Sequence, residues 1–88
     1  MRISLVKVSP GFERAYKKLP KVVKEAAKEK ERFFRENAFD SRLHTHKLHG
    51  KDKGAWAFSI NNAYRIKFVF LNGASALFLD VGTHGIYS

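Results

Sequence analysis

The first 36 residues alternate between one β-like segment and two segments with helical spacing. RISLVKV (2–8) is rich in β-branched residues and partly apolar on both faces, which predicts a strand. Ser9 and Pro10 follow as the N-cap and first-turn residues of a helix. A second helix is predicted over 20–36, because Pro20 disfavours α geometry at Leu19. The apolar stripes of the two helices are Phe12, Ala15, Tyr16 and Leu19, then Val22, Val23, Ala26, Ala27, Phe33 and Phe34, with Lys30 interrupting the second stripe.

No period holds over residues 37–53, and we interpret this polar, basic segment as a long connection. The apolar spacing then switches to two, which predicts strands over 55–60, 64–70 and 76–81. Asn61 and Asn62, which tolerate a left-handed backbone, and Asn72 with Gly73 predict the two hairpin turns. This order predicts a single α+β domain over 1–88, with an N-terminal strand, a two-helix hairpin and a three-stranded antiparallel meander. Both helices are expected on one face of a four-stranded sheet.

Strand alternation assigns side chains to the two faces of the predicted sheet. The helix-facing side chains are expected to be Trp56, Phe58, Ile60, Tyr64, Ile66, Phe68, Leu77, Leu79 and Val81. The opposite, uncovered face would carry Ala57, Ser59, Arg65, Lys67, Phe78 and Asp80. Such a basic face suits a phosphate backbone. An ordinary ion pair between Arg65 and Asp80 is the alternative role for the arginine.

Composition narrows the class of partner. Seventeen Lys and Arg against eight Asp and Glu leave a net charge of +9 on 88 residues, which favours nucleic acid, an acidic protein or an anionic membrane. The absence of cysteine excludes disulfides and thiolate chemistry. The N-terminal segment is too short and polar for a signal peptide, and no apolar run could span a bilayer. We therefore expect a soluble cytoplasmic protein.

The C-terminal segment carries the candidate chemistry. Gly82 ends the last predicted strand, so His84 and Tyr87 should emerge beside the basic face. An imidazole next to a phosphate-binding arginine suits general acid–base catalysis on a phosphodiester. A zinc site is the other reading of the H-x-H-x-x-H motif, but no cysteine and no carboxylate stands at ligand spacing. We therefore expect no metal and no cofactor, and RNA contacts instead, for His44, His46 and His49.

Two segments resemble a known family, RLHTHKLHGKDKGAWAFSINNAYRIKFVF (42–70) and LFLDVGTHGIY (77–87). The order H-x-L-x-G, a W-x-F strand, Y-R-I on the next strand and a terminal D-[IV]-G-[ST]-H resembles the RelE/ParE toxin superfamily, in particular its RelE/StbE and YafQ-like mRNA interferases. The resemblance covers essentially the whole chain. It implies a RelE-like fold and the toxin of a type II toxin–antitoxin system. The implied activity is a metal-independent endoribonuclease that cleaves translated mRNA in the ribosomal A site, with an acidic antitoxin as partner.

The resemblance also implies roles for individual residues. His84 matches the terminal catalytic histidine, Arg65 the arginine that stabilises the phosphorane charge, His46 the histidine of H-x-L-x-G, and Tyr87 the terminal aromatic residue. The chain departs from YafQ-like members by having Ser59 and Ala63 where they carry a histidine and an aspartate. RelE-like members place lysines where this chain has Ala57 and Ser59. The second proton-transfer residue is thus open, with His46 as the first choice and His49 and Lys53 as the alternatives.

The remaining expectations concern RNA contacts and rival functions. Substitution of Lys30 is expected to be mild. One rival function is a ParE-like toxin that inhibits DNA gyrase without RNA chemistry. The other is an inactive family member that binds antitoxin or nucleic acid. RNA contacts are expected from Lys47, His49, Lys51, Lys53, Ser59 and Lys67.

Overall fold

Two helices pack on one face of a five-stranded mixed sheet, which confirms the predicted α+β class. The computed structural model describes residues 1–87, and the expected role of the Tyr87 side chain falls outside the described residues. Within that range, neither helix is long and apolar enough to cross a bilayer. Short 3₁₀ turns occupy Ser41–Leu43, Gly50–Asp52 and His84–Tyr87. The elements in chain order are β1 (Leu5–Val8), α1 (Pro10–Lys17), α2 (Lys21–Glu36), β2 (His46–Lys47), β3 (Trp56–Ser59), β4 (Arg65–Asn72) and β5 (Ser75–Gly82).

The sheet has the order β1-β5-β4-β3-β2, with β1 parallel to β5 and every other neighbour antiparallel. The prediction of four strands is wrong, because β2 lies in the segment interpreted as a connection. Its two residues pair with β3, His46 opposite Ala57 and Lys47 opposite Trp56. A two-residue strand is too short to show alternation. Its pairing nevertheless fixes His46 at the edge of the sheet.

The start of α1 and the break before α2 follow the sequence prediction. The Ser9 hydroxyl oxygen accepts a hydrogen bond from the Phe12 amide at 3.0 Å, as an N-cap serine should. Pro20 then stands as the N-cap of α2. The apolar stripe of α2 is buried at Val23, but Val22 is 73 % exposed, so its predicted burial is wrong.

The core is built around the ring of Phe34, which is fully buried. Its centroid lies 4.9 Å from those of Phe58 and Phe68 and 5.5 Å from that of Phe78. Phe58 is stacked on Phe34, and Phe68 and Phe78 meet it edge-on, arrangements that stabilise the core beyond the burial of apolar area. Phe78 therefore belongs to the helix-facing core, and its predicted place on the opposite face is wrong.

A β-bulge in β5 is the reason for that error. Lys67 pairs with Asp80 while the next residue, Phe68, pairs with Phe78, so Leu79 is the extra residue. Its carbonyl accepts from the Ser9 hydroxyl at 3.0 Å. The bulge shifts the alternation of side chains by one residue. Residues of β5 before the bulge therefore lie on the face opposite the predicted one, whereas Asp80 and Val81 after it lie on the predicted face. The predicted helix-facing positions of Leu77 and Leu79 are therefore wrong too.

The face opposite the helices is covered at one end. Leu48, Ala55 and Ala57 are buried there and pack with Val69 in a second, smaller cluster. The chain between β2 and β3 thus folds over a part of the sheet that the sequence predicts to be uncovered. At the other end of these strands, Ser59 of β3 and Arg65 of β4 lie beside a cleft.

Candidate active site

A cleft of about 450 Å³ lies where β2, the β3–β4 turn, the C-terminal turn and α2 meet. Ser59, Ile60, Asn61 and Asn62 form part of its wall, and no Asp or Glu of residues 1–87 lines it. Fixed and titratable cations form the rest, which makes the cleft electrostatically suited to phosphate. These cationic or titratable side chains are Lys30, Arg42, Arg65, His44, His46 and His84.

Arg65 is positioned in the cleft by the sheet register and by its own hydrogen bonds. It stands opposite Ser59 on β3 and Gly82 on β5. Its Nη1 donates to the carbonyls of Asn61 at 2.6 Å and Tyr64 at 3.1 Å. Among residues 1–87, no acceptor is bonded to its Nε or Nη2, so those donors remain for a ligand.

The alternative ion pair between Arg65 and Asp80 does not form among the described residues. Asp80 lies opposite Lys67, and its Oδ1 accepts from the amide of Val81 at 2.8 Å. Arg65 thus lacks a carboxylate partner in this part of the chain, and its positive charge is uncompensated at the cleft.

The turn between β3 and β4 holds Arg65 in place. It spans five residues, and the predicted left-handed backbone at Asn61 and Asn62 is wrong: among non-glycine residues 1–87 only His44 has a positive φ. The Asn61 side-chain oxygen instead accepts from the amides of Ala63 at 2.9 Å and Tyr64 at 2.8 Å. This Asx-type bonding orders the turn whose carbonyls bind Arg65.

The ring of His46 has a defined tautomer in its neutral form. Its Nδ1 lies 2.9 Å from the carbonyl oxygen of His44, which can only accept, so Nδ1 carries the proton. The other nitrogen, Nε2, is then the acceptor, which is the form required of a general base. The left-handed backbone of His44, with φ of 51°, precedes β2 and helps to orient this carbonyl.

His84 begins the 3₁₀ turn that follows β5, and it is exposed at the cleft. The turn packs closely on the strand end, since a Cβ at Gly82 would lie 2.8 Å from Cγ2 of Ile86. The amide of Ile86 donates to the carbonyl of Thr83 at 3.1 Å. The glycine therefore lets the turn approach the strand that carries it.

Lys67 is hydrogen-bonded to the same 3₁₀ turn. Its Nζ donates to Asp52 Oδ1 at 3.1 Å and to the Ile86 carbonyl at 3.3 Å. The side chains of Lys67 and Asp52 are each only 18 % exposed. Lys67 does not line the cleft, so its predicted RNA contact finds no support in the geometry.

The remaining predicted RNA-contacting residues divide between the cleft and the surface. Ser59 lines the cleft, whereas the exposed residues of the segment between β2 and β3 do not. His46 and His84 thus line the cleft without His49. Those outside the cleft wall are Lys47, His49, Lys51 and Lys53.

Sequence analysis missed several cleft residues. Lys30 enters from α2, where its place inside the apolar stripe was a usable signal for a helix position facing the sheet. Its presence in the cleft removes the basis for expecting a mild effect of substitution. No sequence signal marked Arg42, because nothing in a local pattern links its connection to the cleft. The missed residues are Lys30, Arg42, Asn61 and Asn62.

Arg42 is fixed by Asp40. Its Nε and Nη2 donate to the two carboxylate oxygens at 3.0 and 2.7 Å. These hydrogen bonds, with the Arg42 amide bonded to the same carboxylate, lower the pKa of Asp40 to about 2. The pKa of Arg42 is raised, first by the same hydrogen bond. The pair is therefore fully ionised at neutral pH.

The histidines do not assemble a metal centre among residues 1–87. No three His, Cys, Asp or Glu side chains lie close enough there to hold a metal ion. His44 and His46 line the cleft, but His49 of the same H-x-H-x-x-H motif does not. The three rings of the motif are thus not presented to one point.

Solved structures establish the fold. The matching chain of the Escherichia coli DinJ–YafQ toxin–antitoxin complex has a TM-score of 0.74 and 18 % identity, covering 98 % of this chain and 97 % of that one. The matching chain of the archaeal RelE–RelB complex from Pyrococcus horikoshii OT3 has a TM-score of 0.74 and 17 % identity, covering 97 % of this chain and 98 % of that one. The YoeB/ParE toxin from Agrobacterium tumefaciens has a TM-score of 0.75 and 15 % identity, covering 96 % of this chain and 99 % of that one.

No protein-family model matches the chain, and none of the curated proteins matches it in sequence. The structural likeness nevertheless extends over nearly the full length of each chain compared. The chain therefore has the fold of the RelE/ParE toxin superfamily, and the resemblance indicated by its motifs is confirmed at the level of the fold.

Proposed function

We propose that the protein is the toxin of a type II toxin–antitoxin system and acts as a ribosome-dependent, metal-independent endoribonuclease on translated mRNA. The observation that carries this proposal is the meeting of Arg65, His46 and His84 at one cationic cleft. A gyrase-binding toxin has no need of two imidazoles beside an arginine, whereas cleavage of a phosphodiester does. The fold is the second support, because it is shared with toxins of this superfamily.

The proposed reaction is an internal transesterification. The ribose 2′-oxygen attacks the adjacent phosphorus, the bond to the 5′-oxygen breaks, and the products are a 2′,3′-cyclic phosphate and a 5′-hydroxyl. Nε2 of His46 takes the 2′-hydroxyl proton, and His84 as imidazolium gives a proton to the leaving 5′-oxygen. Arg65 stabilises the phosphorane through the donors not used by the turn.

This assignment of base and acid rests on hydrogen bonding. The bond of His46 Nδ1 to a carbonyl favours the tautomer with an accepting Nε2. A role for Tyr87 beside the substrate follows from the motif resemblance alone. His49 and Lys53 are the weaker candidates for the second proton-transfer residue, because neither lines the cleft.

The proposed partners are the ribosomal A site with its mRNA and an acidic antitoxin, in the cytoplasm and not at a membrane. The net charge of +9 favours an acidic protein partner. Chains of this fold occur in the DinJ–YafQ toxin–antitoxin complex and in the RelE–RelB complex. A small acidic protein encoded beside this one should co-purify with it and suppress its activity. Failure to find such a protein would contradict this part of the proposal.

Controlled induction of the chain in cells tests the function. We expect translation to stop, and coding transcripts to be cut only while they are translated. DNA breaks with intact RNA would instead indicate a gyrase inhibitor, and the absence of both would indicate an inactive member. Cleavage in a purified translation system should persist in the presence of a metal chelator at concentrations that leave ribosomes intact, and its loss would contradict a metal-independent reaction.

A further inference from the structure

Arg42 is held in one orientation at the rim of the cleft. Its Cζ lies over the Phe33 ring, 3.6 Å from the centroid, which is the contact distance of a guanidinium stacked on an aromatic face. One edge of that plane is bonded to Asp40 through two donors. The side chain is still 55 % exposed and lines the cleft, so the part it presents is the opposite face and the Nη1 end.

The charge of Arg42 is compensated, whereas Lys30 and Arg65 form no ion pair within residues 1–87. The ionised carboxylate of Asp40 lies 2.7 Å from its Nη2. The pair adds little net charge to the site, and phosphate would gain little by binding there. Lys30 makes no ion pair within residues 1–87 and is partly buried, so its charge acts on the cleft without compensation. These two cations should therefore contact different parts of a nucleotide.

We propose that Arg42 is a stacking platform for a nucleobase of the single-stranded RNA in the cleft, and that Lys30 contacts a phosphate. Unpaired bases stack on flat guanidinium planes as they do on aromatic rings. A plane already fixed by Phe33 and Asp40 loses little conformational entropy when a base covers it. Purines offer the larger surface, so this residue should favour a purine at its position. The inference rests on the proposed function, because it assigns a specificity residue to the same cleft.

Two uncleavable RNA probes separate stacking from charge. One is a 2′-O-methyl pentaadenylate, and the other is a pentamer with the same phosphates but no bases. Wild-type protein should bind the adenylate more tightly. Arg42→Lys keeps the charge but removes the plane, and we expect about a tenfold loss of affinity for the adenylate and none for the abasic pentamer. The dependence of adenylate affinity on salt should not change.

Two variants supply the contrast. Lys30→Gln should weaken the binding of both probes alike. It should also make the slope of log affinity against log salt concentration shallower by about 0.7, the value for one contact to single-stranded phosphate. Asp40→Asn should uncover the charge of Arg42 and strengthen binding of the abasic pentamer. The matched control is Arg35→Lys. Arg35 forms a similar two-donor bond to Glu31 on α2 but does not line the cleft, so neither affinity should change.

Three results would overturn the inference. Arg42→Lys could lose affinity for both probes equally, or wild-type protein could bind the adenylate no more tightly than the abasic pentamer. The third is that wild-type protein binds neither probe at low salt. Thermal unfolding must show that each variant is folded at the assay temperature, and Asp40→Asn provides the second test if Arg42→Lys is poorly folded. Neither probe has a free 2′-hydroxyl, so these outcomes do not depend on cleavage. RNA cutting by wild type in cells decides the proposed function separately.

Discussion

Removal of the Lys67–Asp52 ion pair tests whether Lys67, on the sheet face opposite the helices, holds the C-terminal 3₁₀ turn in place. At 3.1 Å, two unit charges attract by about 5 kcal/mol at an effective dielectric constant of about 20. Desolvation of two side chains that are each 18 % exposed offsets most of this attraction. The net coupling expected is about 1–2 kcal/mol, which exceeds that of a typical surface pair.

A double-mutant cycle measures this coupling. Lys67→Met, Asp52→Asn and the double variant are compared with wild type by chemical denaturation, which gives the free energy of unfolding. Each single variant leaves a partly buried charge without its partner, so each should lose about 1–2 kcal/mol and the double variant little more. The matched control is the pair Arg32–Glu36, at 3.7 Å with both side chains more than 60 % exposed, where coupling should not exceed about 0.5 kcal/mol.

The same variants separate a structural role of Lys67 from the RNA contact that the sequence predicts. Loss of its bond to the Ile86 carbonyl should loosen the turn that carries His84 and reduce cleavage. Binding of the abasic RNA pentamer should keep its salt dependence in Lys67→Met. A coupling no larger than that of the control pair would refute the reasoning. So would a salt slope that falls by about 0.7 at unchanged stability, because it would indicate a phosphate contact.

Three further substitutions have defined outcomes. Gly82→Ala places a methyl group 2.8 Å from Ile86 Cγ2, so cleavage should fall about tenfold through displacement of the His84 turn, while the unfolding midpoint moves by only about 2 °C; unchanged cleavage would contradict this. The pKa of Asp40 is about 2 in the fold against an ordinary 3.8, so its ion pair stabilises the protein above about pH 4. The stability difference between Asp40→Asn and wild type should therefore shrink as the pH falls to 2, and a constant difference would contradict the assignment. Phe34→Ala should cost about 3–5 kcal/mol in unfolding free energy, and a loss below about 1 kcal/mol would contradict its central place in the core.

Much of the fold could be predicted from sequence because local rules determine it. The cap at Ser9, the break at Pro20 and the two-residue period of β3 and β4 each depend on neighbours in the chain. The bulge at Leu79 depends instead on how β5 meets β4 and on a hydrogen bond from Ser9, 70 residues away. No local pattern contains that information, so Leu77 and Phe78, which precede the bulge, were assigned to the wrong faces.

The site shows the same division. Arg65 and His84 could be identified because a strand register and a strand end carry them towards the same edge. Their neighbours Lys30 and Arg42 reach the cleft only because α2 and the connection after it pack beside that edge. Sequence analysis therefore found the residues proposed for the chemistry and missed those proposed to contact a base and a phosphate of the RNA.

The most direct test of the central claim is a determination of RNA end chemistry at the cut sites of translated transcripts, for wild type and two histidine variants. His84→Ala removes a cleft imidazole, and His49→Ala removes an exposed one outside the cleft. We predict 2′,3′-cyclic phosphate and 5′-hydroxyl ends with wild type and with His49→Ala, and a loss of about 100-fold or more with His84→Ala at unchanged stability. Undiminished cutting by His84→Ala, or ends of another chemistry, would contradict the account.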